Sequence, residues 1–238
     1  MSTGGLSKAR LGRMHEVMAG HVERGEVPGF VTLLSRRGET HVDAIGTKAV
    51  EGREPLGMKD TGFSVPGAKL DRLASSYWPN AETGALDLHD GVEDSQWRRP
   101  PAFPDGGAGL VSAIDDYLAE GQTMLNKGIY GSERILSRLS VETMTTDQLT
   151  PEQKAASDFF PGFWESRGWA FGGSIVTRRD DVAAVPGRFG WDGGYGTSWA
   201  SDPKEDMVAI LMTQRAAFPL VSGIYLDFWT SAYQAIGD

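Results

Sequence analysis

Cysteine is absent from all 238 residues, which removes disulfides, thiolate nucleophiles and cysteine-based zinc sites, and leaves the redox compartment open. Basic charge is also in short supply: 23 Lys and Arg stand against 32 Asp and Glu, for a net charge of −9 and a pI of about 5.0. No basic stripe interleaves with aromatic residues, so neither nucleic acid nor an anionic membrane is expected as a partner. Long apolar runs are missing, and Met1 to Gly5 carry nothing like the apolar stretch of a secretion signal. A cytoplasmic protein is the expectation. Histidine is scarce, and the spacing of His15 and His21 on the first predicted helix does not put them on one face, while His41 stands alone in a predicted strand. No metal site and no cofactor are expected.

What is present is enough for a core, since 40% of the residues are hydrophobic. Ser7 can cap a helix whose apolar positions Leu11, Met14, Val17, Met18 and Val22 follow a 3.6-residue period, with Gly25 as its stop. Phe30–Ser35 and Thr40–Ile45 flank Arg36-Arg37-Gly38-Glu39 and read as a hairpin that begins a sheet. Residues 47–110 are rich in Gly, Pro, Asp and Ser and predict loop or disorder, with one short helix near Ala68–Ser75. Ser112 is placed to cap a helix through Ile114, Tyr117, Leu118, Met124 and Leu125 that Gly128 ends, and a shorter helix follows over Ser140–Gln148. Gly168–Thr177, Tyr195–Ala200 and Met207–Thr213 have strand composition and predict three antiparallel strands. Near the C-terminus, Leu220, Ile224, Phe228, Ala232 and Ile236 recur every four residues, with Val221, Tyr225 and Trp229 alongside. A helix lying across the sheet beside the first one is expected there.

The densest chemical signal is Phe189-Gly190-Trp191-Asp192-Gly193-Gly194-Tyr195-Gly196-Thr197-Ser198-Trp199. Glycines let a backbone approach a ligand and aim its N–H groups at developing negative charge, while aromatics on either side shape a cleft. Alone, the tract reads equally well as a Gly-rich hairpin with aromatics packed on its faces. It resembles the last motif of the serine β-lactamase and penicillin-binding-protein superfamily, in the branch of class C β-lactamases and family VIII esterases. There Trp-x-Gly or His-x-Gly stands where other members carry Lys-Thr-Gly. The opening helix and hairpin resemble that family's start. Pro55-Leu56-Gly57-Met58-Lys59-Asp60-Thr61 resembles its Pro-Leu-Gly-Met-x-Asp-Thr segment, and Gly106-Gly107-Ala108-Gly109-Leu110-Val111-Ser112 its Gly-Gly-Gly-Leu-x-Ser stretch.

The resemblance implies an α/β (α+β) fold, an antiparallel sheet flanked by N- and C-terminal helices, with the all-α subdomain largely missing. In the family, a helix bearing Ser-x-x-Lys and a subdomain bearing Tyr-x-Asn stand between the first hairpin and the Pro-Leu-Gly-Met segment. Here Ala44–Glu54 runs straight into Pro55, so a single truncated domain over 1–238 is expected, with a junction near 54–57. That chemistry needs Ser and Lys on one helical face, so that the amine takes the hydroxyl proton. The literal Ser-x-x-Lys, Ser201-Asp202-Pro203-Lys204, falls at a predicted turn between strands, where Pro203 prevents that geometry and leaves Ser201 a weak candidate nucleophile. Tyr130-Gly131-Ser132 reads as a loop, and no Gly-x-Ser-x-Gly occurs. Asp87-Leu88-His89-Asp90 is the one local acid–base cluster, but neighbours in a polar loop diverge and no site is expected there.

By carry-over from the family, Gly194 supplies one backbone N–H of an oxyanion hole, next to Gly193, with Trp191 and Tyr195 flanking the slot. Asp192 either lines the cleft, where a carboxylate would repel an oxyanion, or caps the turn. Whether the chain is an enzyme is left open. One reading is a hydrolase scaffold that has lost nucleophile and base and still binds a small ester, amide or β-lactam. The other is an active serine hydrolase of esterase, β-lactamase or DD-peptidase type, using an unrecognised nucleophile or residues outside this sequence. Surface uncovered by the missing subdomain favours a homo-oligomer.

Overall fold

The computed structural model describes residues 7–24, 29–36, 39–46, 56–157, 159–216 and 223–237. They fall into two compact units, Met1–Gly57 and Met58–Asp238.

In the first unit, helix α1 spans Lys8–Glu23, and the Ser7 carbonyl accepts from the Arg10 and Leu11 amides. Leu11, Met14 and Met18 are half-buried as their period predicts, whereas Val17 is exposed. Gly25 lies outside the described residues. Strands β1 (Gly29–Arg36) and β2 (Glu39–Gly46) form the expected hairpin, in antiparallel register from Arg36↔Glu39 to Gly29↔Gly46. His15 Nδ1 lies 2.8 Å from Asp43 Oδ2, tying α1 to β2.

The segment expected to be loop or disorder, 47–110, begins in the first unit and runs on into the second. From residue 56 onward it is built, while 47–55 lie outside the described residues. A 3-10 turn occupies Gly67–Arg72, overlapping the short helix expected near Ala68–Ser75, and a hairpin follows from β3 (Ser76–Pro79) and β4 (Leu86–Asp90). Polar contacts that no periodicity announces hold this region. Asp116 Oδ2 accepts from the Asp60 amide at 2.6 Å and from Thr61 Oγ1 at 2.9 Å, and Trp97 Nε1 donates to the Gly109 carbonyl at 3.0 Å. Lys69 and Arg72 grip Asp60 at 2.6 and 2.8 Å and hold its carboxyl below the usual range, the Lys69 hydrogen bond contributing most.

Helix α2 covers Ile114–Leu125, but its N-cap is Ala113 and not Ser112. The Ser112 hydroxyl is engaged elsewhere, with Thr61 Oγ1 at 2.8 Å and the Ala113 carbonyl. Beyond the short hairpin β5 (Ile129–Tyr130) and β6 (Glu133–Arg134), helix α3 runs over Arg138–Met144. It starts earlier than expected because Ser137, not Ser140, accepts the capping bond. Short helices α4 (Pro151–Ala155) and α5 (Phe163–Ser166) lead into the sheet.

That sheet has five strands, all antiparallel: β7 (Arg167–Ala170), β8 (Gly173–Val176), β9 (Phe189–Gly193), β10 (Thr197–Asp202) and β11 (Met207–Met212), in the order β11-β10-β9-β8-β7. The segment 168–177, expected as one strand, is two, because Gly172 turns the chain at φ 91°. Strand β9 is the addition that the Gly-rich tract itself supplies.

Alternation along β9 and β10 gives the sheet two covered faces. On one, Phe189 packs with Met124 of α2 and Val141 of α3, and Trp199 adjoins them. On the other lies helix α6 (Gly223–Gln234), whose Tyr225, Trp229 and Tyr233 are buried with Ala200, Ala183 and Val185. The expected Ile224/Phe228 face is displaced: Ile224 is exposed and Phe228 only partly buried, while Leu220 and Val221 lie outside the described residues. The helix turns its ring-bearing side inward because each ring carries a polar tip that finds a partner on the sheet. Trp229 Nε1 donates to Ser198 Oγ at 2.9 Å, Tyr233 Oη to Asp202 Oδ2 at 2.5 Å, and Tyr225 Oη to the Gly193 carbonyl at 2.9 Å.

One charged group on α2 opposes this packing. Burial raises the Glu120 carboxyl above its ordinary value of 4.5, so the folded chain holds that proton more tightly than the unfolded one. At neutral pH the ionised group therefore costs stability, and the cost disappears as pH falls through the raised value. Glu120→Gln is expected to raise the urea midpoint at neutral pH and to leave it unchanged in acid below about pH 4, where both states are protonated.

Candidate active site

The glycine tract folds as hairpin β9–β10, with Gly193 paired to Thr197 and a three-residue loop, Gly194-Tyr195-Gly196, between them. The Gly196 amide donates to the Gly193 carbonyl at 3.1 Å, and Gly196 itself takes the left-handed conformation at φ 86°, the usual closing position of a three-residue loop. A side chain at 196 would collide with the Arg215 carbonyl oxygen, so this position needs glycine for space as well as for φ.

Trp191 stands on the α2 face of β9 in an aromatic group, edge-on to Trp169 at 4.7 Å between centroids, with Phe159 and Phe163 at 6.2 and 6.4 Å. Across the loop, Tyr195 is flanked by Trp97 at 5.4 Å and His89 at 5.7 Å, and its hydroxyl lies 3.4 Å from Gln96 Nε2. The Gly194 N–H sits between these two aromatic walls in sequence and has no hydrogen-bond partner among the described residues.

Asp192 points to the opposite face from Trp191. Its carboxylate accepts from Ser198 Oγ on the paired strand, and Ser198 in turn accepts from Trp229, so the side chain clasps two strands and does not cap the turn. Both Trp191 and Asp192 reach a cavity of about 430 Å³ at the edge of β9, beyond Ser174↔Gly190, the last pair β9 makes with β8. Arg188, Trp199, Tyr225 and Trp229 line it too. The Arg188 guanidinium lies 3.7 Å from the Trp229 ring centroid, and burial pulls its pKa down while the charges of Tyr233 and Asp192 oppose the shift. Tyr225 is pushed up to about 12, first by burial and then by the Asp192 charge.

Ser201 lies away from this cavity. It is fully buried and its hydroxyl donates to the Gly121 carbonyl on α2 at 3.0 Å. Lys204 sits in the turn after β10, its amide bonded to Asp202 Oδ1, so Ser201 and Lys204 share no helical face. Tyr130-Gly131-Ser132 forms the tip of hairpin β5–β6. No group of three or more His, Asp or Glu among the described residues could hold a metal ion.

His89, set aside with the Asp87–Asp90 cluster on sequence grounds, is brought beside Tyr195 by the fold. Asp87–Asp90 is strand β4 rather than a polar loop, and the ring of His89 packs between Trp78, 4.9 Å away, and Tyr195. The signal for it was Tyr77-Trp78 and Leu86-x-Leu88 on either side of a turn running from Asn80 to Gly84, in which Asn80 Oδ1 accepts from the Glu82 and Thr83 amides.

The Beta-lactamase family profile matches residues 53–222. The chain belongs to the β-lactamase family. Within it, the chain is 38% identical over 167 residues to Protein Rv1367c of Mycobacterium tuberculosis, covering 67% of this chain and 40% of that protein. Esterase EstB of Burkholderia gladioli is 26% identical over 181 residues, 68% of this chain and 42% of the esterase. Among solved structures, a LovD6 mutant of simvastatin synthase from Aspergillus terreus superposes with a TM-score of 0.62 at 22% identity, over 76% of this chain and 48% of that one. EstCE1, a hydrolase with promiscuous acyltransferase activity, gives 0.58 at 24% identity over the same shares. These two show the shared fold. The chain spans about two fifths of the length of the curated relatives it matches. It has the β-lactamase fold, an α/β protein built on an antiparallel sheet.

Proposed function

We propose that this β-lactamase-family chain is a hydrolase scaffold without a working nucleophile or base, which binds a small ester, amide or β-lactam carbonyl in the slot beside Gly194 without turning it over. The observation that carries the reading is the state of Ser201 and Lys204. The literal Ser-x-x-Lys of the sequence has its hydroxyl buried against α2 and its amine in a turn after the strand. A serine becomes nucleophilic when a base removes its proton within hydrogen-bond reach and the oxygen can meet a substrate, and neither condition is met there. What remains is the Gly194 N–H, free to donate, with Trp191 and Tyr195 on either side of it in sequence. One such donor is worth roughly 10²–10³ in rate to an enzyme that has the rest, and far less to one that has lost its nucleophile.

The test is intact-protein mass spectrometry after incubation with a fluorophosphonate ester and, separately, a penicillin, with circular dichroism on the same sample. A folded chain of unchanged mass is expected. A stoichiometric adduct, mapped to its peptide, would establish a nucleophile and overturn the reading in favour of an active serine hydrolase.

A further inference from the structure

We infer that Tyr225 is a positioning residue whose hydroxyl holds the Gly193–Gly194 peptide so that the Gly194 N–H is presented to the cleft as an anion donor. The inference rests on the reading of the Gly194 slot given above and concerns how that donor is aimed.

The carbonyl of Gly193 and the N–H of Gly194 belong to one peptide unit. That unit is planar and trans, so the two groups point in opposite directions, and whatever orients the carbonyl orients the N–H. The carbonyl accepts from the Gly196 amide at 3.1 Å and from Tyr225 Oη at 2.9 Å, which uses both of its lone pairs. The carbonyl is turned toward its two donors, Tyr225 Oη from α6 and the Gly196 amide, so the N–H is directed away from both of them. A peptide between two glycines has the least intrinsic resistance to rotation of any in the chain, so its direction must be set from outside.

Tyr225 is well suited to set it. The ring is only 6% exposed, and α6 is tied to β10 by two further ring-to-sheet bonds, from Trp229 and Tyr233. Burial keeps the phenol protonated, and so a donor, across the whole physiological range. Without the Tyr225 bond the carbonyl loses its side-chain donor, and the peptide is freer to tilt about its flanking dihedrals. The residue touches no ligand, and its effect passes entirely through the backbone.

The experiment compares the full-length chain with Tyr225→Phe by 15N–1H NMR, measuring the residual dipolar coupling of the Gly194 amide and its response to phenylphosphonate. In the unaltered chain the coupling should match the orientation given by the structure, and the Gly194 proton should move downfield on titration. In the variant, the Gly190 and Trp199 amides and the Trp229 indole should stay in place, while the Gly194 coupling departs and phenylphosphonate binds about five- to tenfold more weakly, the worth of one hydrogen bond. A Gly194 coupling and affinity unchanged by Tyr225→Phe would overturn the inference. If the coupling shifts in the variant but phenylphosphonate never moves Gly194 in either protein, the positioning role stands and the proposed ligand slot fails. Should Tyr225→Phe disturb the fold, 3,5-difluorotyrosine at 225 preserves ring shape and ionises at lower pH. The Gly194 amide should then move as that phenol loses its proton, and its failure to do so would equally overturn the inference.

Discussion

Gly196→Ala should lower the unfolding free energy by about 3 kcal/mol, measured by urea titration. Two costs add. Holding alanine in the left-handed region costs about 1–2 kcal/mol, and φ at 196 is 86°. The new methyl would also overlap the Arg215 carbonyl oxygen and Thr213 Oγ1, an overpacking cost of about 1–3 kcal/mol. Those atoms cannot simply retreat. The Thr213 amide and hydroxyl both donate to the Gly196 carbonyl, at 3.0 and 2.8 Å, so moving them breaks the link between the end of β11 and the β9–β10 loop. A loss below about 1 kcal/mol would mean that the loop tip relaxes freely. In that case the Gly194 N–H could not be regarded as held in place.

The second large effect is expected at Trp229. Trp229→Ala should cost about 4 kcal/mol, in the range for deleting a buried aromatic side chain. The indole is buried, stacks beneath the Arg188 guanidinium and donates to Ser198, so its loss opens a cavity and strips a buried cation of its ring. Trp229→Phe separates these contributions. It keeps most of the apolar area and a ring for Arg188, and gives up the bond to Ser198 Oγ, which retains its own bond to Asp192. A cost of about 1 kcal/mol is expected for it, measured by urea unfolding with near-UV circular dichroism. Equal losses for the two variants would show that the hydrogen bond, and not burial, anchors α6.

Many of the strands could be read from local pattern, although β1 and β2 form a two-stranded sheet of their own and do not begin the five-stranded one. The hairpin β1–β2 follows from two alternating runs about Arg37-Gly38, and β10 and β11 from apolar strand composition on either side of Asp202-Pro203. Reading 168–177 as one strand failed because β-rich composition is continuous across it, and the turn residue Gly172 is one of several glycines in the run. The region after residue 56 looked formless for a different reason. Its order comes from pairwise polar contacts, such as Asp60 with Asp116 and Trp97 with Gly109, whose partners lie far apart in sequence or follow no period. The C-terminal helix was legible as a helix, but apolar spacing favoured the wrong stripe, because hydrophobicity counts aliphatic area and ignores the bonds that Tyr225, Trp229 and Tyr233 make with the sheet.

The candidate site divides the same way. Sequence alone determined the family, the acidic and cysteine-free character of the chain, the Gly-rich hairpin with its flanking Trp191 and Tyr195, and the lack of a Ser-x-x-Lys on a helix. All of these are carried by residue identity and short spacing. Only the tertiary structure decided that Asp192 faces α6, that Ser201 is sealed against Gly121, that His89 joins Tyr195, and that Tyr225 holds Gly193. Strand alternation says that successive side chains point to opposite faces, but what waits on each face is supplied by elements tens of residues away, and their docking is settled by packing and hydrogen bonding.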